Sequence, residues 1–235
     1  MGSRSRIPAI VALALLAGAC ADERPRPAPG PAPSPALVFR APASRAGHLR
    51  LVADTLRFLA CGADGPGLAL EDRPDGEGAR LVREFGGGPD GIVALVRLDG
   101  ARLAEIRHAG PEGAPCDRLP PEGDVEANGE EPFWSLRVEG ARATFRTPEE
   151  LDGVPYEGGA WTQPAPRRWR FTAHRAAGGA TPALVLDLVE ERCADSMSGA
   201  RFPYRATLVR DGERMDGCAL EGRNAVGSTG EAPAP

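Results

Sequence analysis

From Ala36 onward the chain alternates apolar and polar positions in short runs, the period of two that a half-buried β-strand requires. In the first half the runs are ALVFRA, GHLRLVA, TLRFLA and GLALED, followed by IVALVRLDG and ARLAEIRHA. The last two are joined at Asp99-Gly100, a strong hairpin turn. Between the two groups, GEGARLVREFG follows Pro74-Asp75 and sets Leu81, Val82 and Phe85 on one side of a short helix. Many short strands with one helix predict a small barrel of the OB type over residues 37–118.

The second half, 131–222, is more plainly all-β. In PFWSLRV, Trp134, Leu136 and Val138 share a face; in RRWRFTA, Trp169, Phe171 and Ala173 do. LVLDLV aligns Leu184, Leu186 and Leu188, and FPYRATLV aligns Phe202, Tyr204, Ala206 and Leu208. Glu139-Gly140 and Asp211-Gly212 break the runs as turns, which predicts a meander of about eight strands closing into a barrel or a strongly curved sheet. The fold class is therefore mainly all-β, with two small antiparallel barrel-like domains. The stretch LPPEGDVEANGEEP, rich in Pro, Gly and acid, marks the boundary, with a linker at 119–130. Residues 223–235 are small and polar and read as a disordered tail.

The N-terminus sets the compartment. Arg4 and Arg6 precede an uncharged apolar run from Ile7 to Leu16, too short to span a bilayer and shaped like a secretory signal. It ends in Leu16-Ala17-Gly18-Ala19-Cys20, which resembles a bacterial lipobox, so 1–19 is expected to be removed and Cys20 acylated. An ordinary signal cut at Ala19, leaving Cys20 a free thiol, is the other reading. Several acyl chains, at about 0.8 kcal/mol per buried CH₂, make a stable anchor without a spanning helix. Residues 20–36 are dense in proline and read as a semi-rigid tether. Ala21 after the lipidated cysteine fits sorting to the outer membrane.

Four further cysteines then mature in an oxidising periplasm, where an even count favours disulfides. Spacing supports Cys61–Cys116 and Cys193–Cys218, one pair in each half, although sequence alone leaves three connectivities open. Metal or redox roles are disfavoured: the chain has no C-x-x-C, and no cysteine has a nearby histidine.

The stretches GEEPFWSL, from Gly129, and CADSMSGARFPYRATL…GC, from Cys193, resemble a family of uncharacterised bacterial envelope lipoproteins. That family carries G-N/T-E-P-F/G-W early in its domain and C-x-D-x-M-S…G-C at its end. The likeness spans about 127–220, with Glu130 in the variable position. The first half more loosely resembles the OB-like domain of NlpE-type envelope-stress lipoproteins through GHLRLVADTLRFLACG. It lacks their N-terminal C-x-x-C module, so copper sensing is not implied. The resemblance implies an envelope lipoprotein and supplies no activity.

Candidate chemistry is sparse. The three histidines, His48, His108 and His174, stand far apart on predicted strands without metal-ligand spacing. Ser196 and Ser198 lie near Asp195 but no partner histidine can be named, and the acid pairs at 149–150 and 190–191 sit beside turns. The candidate binding residues are Glu131, expected to bond amides or an arginine across the barrel mouth, and Trp134, a core plug or cavity floor. Asp195 and Ser198, in a capped turn or a site, complete the set. A net charge of −5 disfavours a nucleic-acid surface. The expected function is noncatalytic: a periplasm-facing lipoprotein for ligand or protein binding, sensing or envelope maintenance. Its partners would be the membrane, through Cys20, and an envelope ligand or protein, with no metal or cofactor. An inhibitor of an external enzyme such as lysozyme, or a hydrolase, are the alternatives.

Overall fold

In the first barrel, Asp99-Gly100 and the residues flanking it form the hairpin their sequence calls for, with Gly100 at φ +59°. The computed structural model describes residues 37–86, 91–110, 116–175 and 182–226; the expected signal, Cys20, the expected tether to 36 and the residues from 227 lie outside them. Strands β1 (Arg45–Val52), β2 (Thr55–Ala60), β3 (Leu68–Ala69), β4 (Ile92–Asp99) and β5 (Arg102–Ala109) lie in the order β3-β2-β1-β4-β5. Helix α1 (Glu77–Glu84) falls between β3 and β4. Just past β3, Glu71 bridges Arg102 in parallel, its N–H donating to Ala101 O at 2.9 Å and its carbonyl accepting from Leu103 N at 2.9 Å. This parallel closure and the helix position are those of the OB arrangement. Gly76 supplies no side-chain cap for α1; the Asp72 carboxylate instead accepts from the N–H groups of Gly78 and Ala79 at 3.0 and 2.9 Å. Leu81 and Val82 are buried with Leu49, Leu56 and Leu103, and Phe85 packs against that core.

The second barrel is an eight-stranded meander. Its strands are β6 (Val125–Glu130), β7 (Phe133–Glu139), β8 (Arg142–Arg146), β9 (Val154–Ala165), β10 (Arg168–Arg175), β11 (Leu184–Ala194), β12 (Arg201–Arg210) and β13 (Glu213–Glu221). Each pairs antiparallel with the next, β13 pairs with β6, and so no edge is left open. The leucines of LVLDLV, with Phe171, Ala173, Tyr204, Ala206 and Leu208, all point inward and fill the interior. The fold class expected from the pattern, mainly β with two barrel-like units and an OB-like first one, is the fold observed.

Three stretches depart from expectation. ALVFRA is not a strand of the first barrel: Leu37 bridges Trp161, Ala41 bridges Val226, and Phe39 is fully buried inside the second barrel. Its apolar alternation reflects one plugging side chain between exposed neighbours. The expected linker 119–130 is shorter, because Val125–Glu130 forms β6. Residues 119–124 are also held in place, Arg223 donating to Pro120 O at 2.9 Å and Asn224 N to Gly123 O at 3.0 Å. The same bonds order Arg223 to Val226, expected in the tail, where Ala225 is fully buried.

The barrels meet where β5 and β12 bridge at Ala109 and Arg201, continuing one sheet through both. Ion pairs from α1 flank the contact, Glu77 to Arg192 at 2.7 Å and Glu84 to Arg201 at 3.0 Å. His108 sits here against Phe202, ring centroids 4.8 Å apart. Burial lowers its pKa from the ordinary 6.5 to about 4, the Arg201 backbone only partly offsetting this. The unfolded chain therefore binds more protons between those values, and stability is lost as pH falls from about 6.5 to about 4. Urea unfolding should show a loss of about 2–3 kcal/mol across that window. His108→Leu should flatten it, while an unchanged pH profile in the variant would assign the loss to other groups.

Candidate binding site

Both disulfides pair as spacing suggested. Cys61–Cys116 has its Cα atoms 5.5 Å apart and joins the end of β2 to the start of the segment leading into β6. Cys193–Cys218 joins β11 to β13, with both residues buried. The second bridge fixes the turn that follows Cys193. In this turn Asp195 Oδ1 accepts from Ser198 N at 2.7 Å and from Ser198 Oγ at 2.6 Å, and Asp195 N donates to Ala200 O at 2.9 Å. Replacing both Cys193 and Cys218 by Ala should cost about 2–5 kcal/mol, the usual range for a small secreted fold. Urea titration of the full chain with its other bridge intact measures it, and a loss below about 1 kcal/mol would argue against a stapling role.

The turn docks on the end of β6. Glu130, the last residue of that strand, points outward and accepts from Ser196 Oγ, and from Met197 N at 3.1 Å. Burial raises the Asp195 pKa, but with hydrogen bonds from the Ser198 hydroxyl and the Ser198 N–H the carboxyl is held below its ordinary value. The two motifs far apart in sequence are thus joined carboxylate to turn. The bonding role expected of Glu131 belongs to its neighbour. Strand alternation directs Glu130 at the turn, while Glu131 lies exposed in the β6–β7 connection ahead of a cis Pro132. Glu131 and Asp195 still line the same cavity, about 250 Å³, with Asn128, Ser196, Arg205 and Asp216.

Trp134 faces the barrel interior and is 3% exposed, with Leu136 and Val138 behind it. Its indole lies over two glycines on neighbouring strands. A Cβ at Gly129 would fall 2.3 Å from Trp134 Nε1, and one at Gly217 would fall 2.9 Å from the ring. Neither strand could carry a side chain there. The indole Nε1 is buried and has no hydrogen-bond partner among the described residues. On the solvent side Trp134 lines an open groove of about 540 Å³ with Phe133, Arg146, Pro148, Leu151 and Asp195. Phe133 is 53% exposed and Leu151 75%, and Met197 on the neighbouring turn is 72% exposed.

Of the four residues singled out from sequence, Trp134 and Asp195 line the groove, Glu131 the adjoining cavity, and Ser198 is held in the turn by Asp195. Glu130, Phe133, Arg146 and Leu151 were missed. Phe133 could have been found from strand alternation, which turns it opposite to the buried Trp134; Arg146 and Leu151 carry no such signal, because the pairing of β8 with β7 and the turn after β8 bring them in. His48, His108 and His174 lie on β1, β5 and β10, and none lines the groove or this cavity. Comparison with protein-family models, with characterised proteins and with solved structures finds no match to this chain.

Proposed function

We propose that this chain is a noncatalytic lipoprotein of the bacterial envelope, anchored through Cys20 in the outer membrane, facing the periplasm and acting by binding or sensing. The observation that carries this reading is the open groove beside Phe133 and Leu151 on a barrel whose interior is already filled. Contiguous exposed apolar surface with a polar rim is characteristic of interaction sites. A closed, disulfide-stapled barrel holds such a surface rigid at little further ordering cost. The serines beside the groove are engaged by Glu130 and Asp195 rather than by a histidine, which supports binding over hydrolysis.

The lipobox-like end of the signal and the proline-dense tether support the anchor. With Cys20 intact the protein should partition into the detergent phase and take up a palmitate analogue, and Cys20→Ser should abolish both. Equal labelling of the variant would sink the anchored reading.

A further inference from the structure

The groove differs in charge from its surroundings. Glu130 and Asp195 border both it and the adjoining cavity, which Glu131 also lines. Among the described residues none of these three carboxylates makes an ion pair: Glu130 and Asp195 are held by neutral hydroxyl and amide donors. Other charges nearby are already matched, Asp216 by Arg214 at 3.0 Å and Arg205 by Glu191 at 3.5 Å. Arg146, at the groove, is without an ion-pair partner among the described residues. Three free carboxylates against one free guanidinium leave this end of the barrel electronegative.

We propose that this groove docks a polypeptide segment of a partner in which a cationic side chain adjoins an apolar one. The apolar side chain rests on Phe133 and Leu151, and the cation meets Glu130, Glu131 and Asp195. The inference deepens the binding reading above and rests on it. Charge decides among occupants. A bilayer rich in anionic lipid, or a nucleic acid, would bring like charge to the three carboxylates. A second copy docking the same patch would oppose those carboxylates to themselves. A basic, apolar segment gains on both counts, by burying Phe133 and Leu151 and by compensating the rim.

Full-length protein in a neutral detergent is titrated with an acetylated, amidated hexapeptide of alternating Leu and Arg. Matched peptides carry Glu in place of Arg, or Ser in place of Leu. Replacing Arg by Glu, or Leu by Ser, should weaken binding at least about tenfold, and added salt should weaken the Arg peptide. Phe133→Ser with Leu151→Ser, both at exposed positions, should lose at least about tenfold while circular dichroism stays that of the parent. Glu131→Gln, also exposed, should lower affinity and reduce the salt dependence; Glu130→Gln, which keeps an acceptor for the turn, should do the same. Equal binding of the acidic and basic peptides overturns the proposal. So does undiminished binding by the Phe133/Leu151 variant, or no binding of the basic peptide. These outcomes stand whatever palmitate labelling shows, and failed labelling removes the anchor without touching them.

Discussion

Arg107→Met should destabilise the protein by about 3–5 kcal/mol, the range expected when a buried ion pair loses one partner. Arg107 projects from β5 with its side chain fully buried and meets Glu221 of β13, equally buried, through Nε at 2.8 Å and Nη2 at 3.1 Å. The same guanidinium donates to Tyr204 Oη at 2.7 Å, to Glu105 at 2.8 Å and to Glu190 at 3.3 Å, which occupies the donors of its planar fork. Burial alone would lower its pKa, but hydrogen bonding and charge from Glu221 outweigh this, so it is held charged with the pKa raised. Burial likewise pushes the Tyr204 phenol up and keeps it a neutral partner. Methionine fills much of the space yet leaves the Glu221 carboxylate buried with no countercharge. The double variant Arg107→Met/Glu221→Leu removes both charges and should recover much of the loss, because desolvation of the pair offsets much of its attraction. Urea unfolding of the single and double variants forms the cycle. A single-variant loss below about 1 kcal/mol would mean that water reaches Glu221 and that the cluster does not couple the barrels.

This cluster marks a limit of what the chain's pattern discloses. Arg107 sits in ARLAEIRHA on the same face as Glu105 and reads as a solvated charge, because its buried partners Tyr204 and Glu221 lie 97 and 114 residues away. Strands whose inward positions are Leu, Phe, Trp or Val were legible, as β7, β10, β11 and β12 were. β6 was not, since VEANGE carries glycine and acid and resembles a linker. Its glycine is there because the Trp134 indole occupies the Cβ position. β9 hid for the same reason: Gly159 stands where a Cβ would meet the Phe171 ring at 2.1 Å, and Gly158 has φ +64°. Small residues placed to admit a large aromatic from the next strand look like loop when only their own strand is read. At the groove, GEEPFW and CADSMS were legible as stretches, but their union through Glu130 is tertiary, set by the turn that Cys193–Cys218 holds over β6.

Phe39→Ala should cost about 3–5 kcal/mol, the range for truncating a buried Phe. It should act on the second barrel although Phe39 precedes every strand of the first. The ring is fully buried, stacked on Trp161 at 5.0 Å and edge-on to Trp169 at 5.4 Å and Tyr204 at 5.7 Å. Aromatic pairs of this geometry add about 0.5–1.5 kcal/mol beyond the area they bury. The flanking contacts are thin: isolated bridges at Leu37 and Ala41, with Leu37 and Val38 exposed. Phe39 therefore fastens the segment. The barrel closes through β11–β12 without it, so the truncated protein should stay folded at neutral pH while 37–41 detaches and water reaches the mouth. Trp161 and Trp169 would then be more exposed, giving red-shifted emission and faster quenching by iodide in the native state, beside a lowered urea midpoint. Phe39→Leu, which refills part of the volume, should lie between the two in both readouts. The opposite result has a definite meaning. If ALVFRA were a strand of the first barrel, as its alternation suggests, Phe39→Ala would leave the emission of Trp161 and Trp169 unchanged and shift only the unfolding midpoint.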